Sequence, residues 1–153
     1  MDWLLKEWLN RPEDSRTGTS VTIIYHQTRA FINALIIFFS QGVRLLSHRY
    51  LRQYAQKLLE SIEAIEQIKA EAKVLAAPLF WPAFMGATEA FEPTHQERFR
   101  RWYARVEIYG IEAARTEIKV VHEVWRQGPP DYRQMHTGWR GAVRQRDECL
   151  MLT

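Results

Sequence analysis

The 153-residue chain has one cysteine, Cys149. A single thiol excludes an internal disulfide framework and any zinc site built from several cysteines. Glycine and proline are also few, seven and six residues, and most fall between apolar periodic segments. That distribution suits an all-α chain with short connections. The chain lacks a strong charge of either sign, its formal net charge being +3. Ten basic and eight acidic side chains precede Pro78, and eleven and ten follow from there. So small and even an excess makes no nucleic-acid patch by itself. The apolar run Phe31–Phe39, interrupted by Asn33, is far short of the roughly 20 residues that span a bilayer. No membrane association is expected. The opening, MDWLLKEW, has neither the basic n-region nor the long apolar h-region of a signal peptide, so an intracellular chain is expected.

What the chain does have is apolar periodicity and six tryptophans. From Val21 to Leu46, apolar residues recur at 21, 24, 25, 32, 35, 36, 39, 43 and 46, the pattern of one helix face. A second set, at 23, 31, 34, 38 and 45, covers much of the opposite face. A helix apolar nearly all round is buried among other helices or in a membrane. The pattern predicts the central helix, near 20–46, of an antiparallel bundle of about six or seven helices forming a single domain over 1–153. A short N-terminal helix carries Trp3 and Trp8, and residues 11–20 read as a polar loop whose Thr19 or Ser20 caps the central helix. A helix over about 48–74 presents Glu60, Glu63, Glu66, Lys69 and Lys73 as a solvated face. Leu79–Phe91 is a short apolar helix with Pro82 near its first turn. Thr94 and Glu97 have capping-box spacing for the helix that ends at Gly110. A further helix, Ile111–Gln127, repeats apolar residues at 114, 118, 121 and 125, and Gly128-Pro129-Pro130 stops it. A weak helix is expected from Tyr132 to about Glu148. The residues assigned to the core or to an interface are Trp3, Trp8, Phe31, Leu35, Phe39, Trp81, Phe84, Phe91, Trp102 and Trp125.

No catalytic or metal motif emerges from these residues. His122-Glu123 begins an HExxH zinc motif, but Arg126 occupies the second ligand position. Glu92 and His95 have ExxH spacing without a second such pair. The five histidines, 26, 48, 95, 122 and 136, share no ligand spacing. Cys149 has no neighbouring base in sequence that could make it a nucleophile. Arg98, Arg100, Arg101 and Arg105 alternate with Phe99, Trp102 and Tyr103. That interleaving suits a nucleic-acid face, or an amphipathic helix with outward arginines whose stems cover apolar surface. The small net charge favours the second.

Three separated stretches carry a resemblance. They are YHQTRAFINALIIFF (25–39), FWPAFMGATEAF (80–91), and an arginine-rich aromatic helix leading to VVHEVW (120–125) and the tail tryptophan Trp139. In that order they resemble the C-terminal half of the regulatory domain of fungal zinc-cluster transcription factors, of the arginine-metabolism-regulator type. The resemblance implies an all-helical regulatory and protein-interaction module, without catalysis, acting in the nucleus when joined to a DNA-binding region. The family's six-cysteine binuclear zinc cluster is absent from this chain, so no cofactor and no sequence-specific DNA binding by the chain alone are expected. The chain is expected to be a piece of a larger regulatory domain, and to pair with itself or with a protein partner. A small-metabolite effector pocket between helices fits such a module, and the resemblance assigns it no residues. The competing reading is a stand-alone helical enzyme or metabolite-binding protein, and no acid/base or metal motif supports it.

Overall fold

A computed structural model of the chain describes residues 15–43, 47–110, 112–129 and 139–146. Among these the structure is helical, without strands. The elements are α1 (Ser15–Val43), α2 (His48–Ala72), α3 (Phe80–Thr88), α4 (Pro93–Val106), a single 3₁₀ turn (Glu107–Tyr109), α5 (Glu112–Gln127) and α6 (Trp139–Arg146). The all-α expectation holds. Trp3 and Trp8 lie outside the described residues.

Several boundaries differ from the sequence reading. Helix α1 already begins at Ser15, within the stretch 11–20 read as a loop. Glycine and hydroxyl residues there argue against helix only weakly. The Thr22 hydroxyl is satisfied inside the helix, donating to the Gly18 carbonyl at 2.8 Å. At α4 the Thr94 cap does not form. Pro93 takes the first helical position, behind an extended Glu92, because proline fixes its own φ and drives its predecessor out of the helical region. Gly110, at φ 63°, then ends the 3₁₀ turn with its N–H on the Glu107 carbonyl.

Helices α1 and α2 form an antiparallel pair. Arg29 of α1 reaches Ser61 (3.2 Å) and Glu60 (3.3 Å) of α2, positions nearly equidistant from the connection at 44–47. Helix α1 contributes Ile23, Ala30, Ala34 and Ile37 to the core, and α2 contributes Leu51, Ala55, Leu58, Leu59, Ile62 and Ile65. Of the two apolar faces of α1, one is buried and the other stays largely open. Phe31, Leu35 and Phe39 point outward and are exposed. The element enclosed by its neighbours is instead α3. All its residues except the half-buried Trp81 are buried, and it meets α1, α2, α4 and α5. The reason is chemical. FWPAFMGAT contains no charge, and its small residues Ala83, Gly86 and Ala87 let neighbouring helices come close.

Gly86 marks the closest approach. A Cβ built there would lie 2.7 Å from Leu58 Cδ2 and 3.0 Å from Phe99 Cζ. Both side chains are fully buried, so neither can swing aside without disturbing the core. Overpacking of this kind costs about 1–3 kcal/mol, whereas replacing a helical glycine gains less than about 1 kcal/mol. Gly86→Val is therefore expected to lower the thermal midpoint. A midpoint equal to or above that of the unaltered chain would show that α3 is not held this tightly.

Candidate functional site

Three features have the makings of a site: an open groove between α2 and α4, a set of buried carboxyls, and the outer face of α1. The groove has a volume of about 480 Å³ and is lined by Glu60, Glu63 and Gln67 of α2 and by Arg98, Arg101 and Arg105 of α4, with Trp102 among its lining residues. Its arginines are engaged. Arg98 pairs with Glu63, Arg101 with Glu97 at 3.3 Å, and Arg105 donates to the Glu66 carbonyl at 3.2 Å. Arg100 lies 5.1 Å over the Trp125 ring and 3.7 Å from Glu97. The α4 arginines thus tie helices together and cover aromatic surface, the amphipathic reading of the sequence.

The expected solvated face of α2 is only partly solvated. Glu66 and Lys69 are buried, and the Lys69 ammonium meets Glu66 Oε1 at 2.9 Å. Lys69 also lies 5.1 Å from the Tyr109 ring centre. The 3₁₀ turn after α4 folds back over this end of α2, which helix periodicity in α2 cannot reveal. Glu92 and His95 do meet, at 3.8 Å, and Glu92 is shared with Arg52.

The tryptophans and phenylalanines assigned from the sequence separate into distinct places. Phe84 is fully buried and edge-on to Trp139, with ring centres 5.5 Å apart. Trp102 is buried against Phe80 and Tyr103. Trp81 is half-buried between Phe31, at 6.0 Å, and Phe38, at 6.1 Å. Phe91 is half-buried beside His48. Trp125 donates its indole N–H to the Ala87 carbonyl of α3 at 2.7 Å, which also accepts the Ala90 N–H at 3.1 Å.

Sequence reasoning missed the buried carboxyls. Glu117 is enclosed on α5, where the buried positions are 114, 117, 120, 121 and 124. The stripe read as 114, 118, 121 and 125 was turned by about one residue. The Tyr103 hydroxyl donates to Glu117 Oε2 over a long 3.4 Å, and Glu117 Oε1 has no hydrogen-bond partner among the described residues. Burial pushes the Glu117 carboxyl up to about 8, against a smaller lowering by the Tyr103 bond. Burial likewise drives the Tyr103 phenol well above its ordinary value, and Glu117 adds to the effect. At the end of α3, Gln41 donates to Glu89 Oε1 at 2.8 Å and to the Thr88 hydroxyl at 3.1 Å. Its amide oxygen accepts the Trp139 indole N–H at 3.1 Å. Burial raises Glu89 to about 7, partly offset by Gln41.

These shifts fix the sign of the pH response. A carboxyl whose pKa rises on folding makes the native state hold a proton that the unfolded chain releases, so stability falls as pH rises through the window. His26, His48 and His122 are lowered, chiefly by burial, and act in the opposite sense up to their ordinary value near 6.5. Above pH 7 the imidazoles are neutral in both states and the carboxyls dominate. Stability is expected to decline from pH 7 to about 8, at up to about 1.4 kcal/mol per pH unit for Glu117, and to level off above its folded pKa. Glu117→Gln should flatten that decline in thermal melts at pH 7, 8 and 9. Equal slopes for the two proteins would place the Glu117 carboxyl in contact with water.

Comparison with known proteins supplies what the geometry alone does not name. The chain is 28% identical over 151 residues to arginine metabolism regulation protein II of Saccharomyces cerevisiae. The match covers 96% of this chain and 17% of that protein's length. No solved structure matches. The family described as the fungal specific transcription factor domain matches residues 5–153. With nearly its whole length accounted for in this way, the chain belongs to the fungal specific transcription factor domain family.

Proposed function

We propose that this domain works as a non-catalytic regulatory and protein-interaction module in the nucleus, joined to a DNA-binding region that it controls. The observation that carries the reading is the family match over residues 5–153. The yeast relative, arginine metabolism regulation protein II by name, points the same way. Two features of the fold support it. The α4 arginines are taken up by Glu63, Glu97 and the Glu66 carbonyl, which leaves little basic surface to hold phosphates. The outer face of α1, by contrast, offers apolar side chains to a partner. Zinc belongs, on this reading, to the DNA-binding region and not to these residues.

The test is to fuse the 153-residue chain to an unrelated DNA-binding domain and measure a reporter in a fungal cell. Output should move away from that of the DNA-binding domain alone, and an unchanged output overturns the proposal. The isolated chain is expected to retard DNA weakly, without sequence preference, and to lose that binding as salt rises, as counterion release requires. A salt-resistant, sequence-selective complex in a mobility-shift titration would contradict it.

A further inference from the structure

On α1 four large apolar side chains stand out from the bundle: Ile24 (46% exposed), Phe31 (41%), Leu35 (43%) and Phe39 (63%). Their spacings of seven, four and four residues place them in one stripe about 80° wide. The core-facing residues Ile23, Ala30, Ala34 and Ile37 lie roughly a third of a turn away. From these observations we infer that the stripe is a homodimer interface, in which α1 pairs antiparallel with α1 of a second copy of this chain. The inference deepens the interaction-module reading and rests on it.

The choice of a second copy follows from charge and length. Between Gly18 and Gly42 the one charged residue is Arg29, and its guanidinium is turned to Glu60 and Ser61 of α2. The stripe therefore presents no charge for a charged partner to grip, and two copies meet without like-charge repulsion. From Ile24 to Phe39 the stripe runs roughly 22 Å and is centred near Phe31, so it can lie on itself about a two-fold axis. Antiparallel pairing sets Phe39, the most exposed residue, against the smaller Ile24. It also separates the two copies of Arg140, which lies 5.3 Å over Phe38 near one end of the stripe. Parallel pairing would bring those guanidinium groups to the same end. Phe31 rests on Trp81 of α3, so the centre of the surface is held in place before binding, which lowers the ordering cost.

Four side chains 41–63% exposed make a patch small against the roughly 800 Å² per partner of a standard interface. A reversible, concentration-dependent dimer is the expected state. A bilayer is the competing occupant, because Gly18–Gly42 is long and apolar enough to cross a membrane by length and composition. Against it stand Arg29 in its ion pair with Glu60 and the opposite face of the helix, packed on α2 and α3.

Sedimentation of the 153-residue chain across a concentration series tests the inference. The unaltered chain should pass from monomer to dimer. Leu35→Glu and Phe39→Glu should each weaken that association about 30-fold or more, the size expected when a charge replaces a large apolar contact. Leu75→Glu replaces a leucine exposed elsewhere and should leave the dimer intact. Helical circular dichroism identifies any variant that fails to fold. Should Leu35→Glu unfold, Phe39→Glu decides, since that side chain is mostly in water already. A chain that stays monomeric throughout overturns the inference, as does a dimer that survives both stripe substitutions or one that Leu75→Glu also dissolves. Binding of the monomer to phosphatidylcholine vesicles that Phe39→Glu abolishes would assign the stripe to a membrane and overturn it too. A monomeric chain that still shifts the fused reporter removes the dimer alone, whereas loss of the reporter effect removes the regulatory reading.

Discussion

The contact between Gly86 and its two neighbours, Leu58 and Phe99, sets the spacing of the three helices that meet there. Helix α3 has nine residues, too few to be stable alone in water. It exists because α1, α2, α4 and α5 surround it, and they in turn bury their apolar stripes against it. Dispersion at such close approach is strong only while the surfaces remain complementary. A nine-residue segment without a charge thereby organises a chain with α1 and α2 of 29 and 25 residues.

Polar groups were placed around this core with uneven care. At one end of α3, Gln41 serves Glu89 Oε1 and Trp125 the Ala87 carbonyl, while Glu89 Oε2 has no partner among the described residues. Deeper in, Glu117 has one oxygen unpartnered among the described residues and holds its proton near neutrality. A protonated carboxyl avoids the much larger desolvation penalty of the ion. The buried Glu66–Lys69 pair solves the same problem by mutual neutralisation, although such pairs add little net stability.

Periodicity made the helices legible, because 3.6-residue repeats and the stops at Gly110 and Gly128 are local signals. The capping box at Thr94 was misread because Pro93, one residue earlier, controls the backbone more strongly than a hydroxyl. The prominence given to α1 came from its apolar content, which is real. Content does not say which face has a partner, however, and Phe31, Leu35 and Phe39 stay exposed. Glu66 and Lys69 were read as solvated, and Glu117 was passed over, for a related reason. A charged side chain in a helix is usually solvated, and only the three-dimensional return of α4 and its 3₁₀ turn over α2 removes water from Glu66 and Lys69. The groove between α2 and α4 also belongs to tertiary structure, since its lining comes from segments more than thirty residues apart.

The hydrogen bond from Trp139 to Gln41 closes a loop of 98 residues, against 48 for the bond from Gln41 to Glu89. Doubling a loop adds only about 0.6 kcal/mol of closure entropy, so the distance in sequence is a small obstacle to docking α6. Among the described residues, what distinguishes α6 is how little holds it: eight residues, with Ala142 buried and Trp139 and Val143 half-buried against the core. A segment with so few apolar contacts opens on its own, at a free energy well below that of global unfolding. In amide hydrogen exchange α6 should therefore behave as a separate unit. Its opening frees the amide oxygen of Gln41 and uncovers Phe84 while α3 remains seated among the other helices.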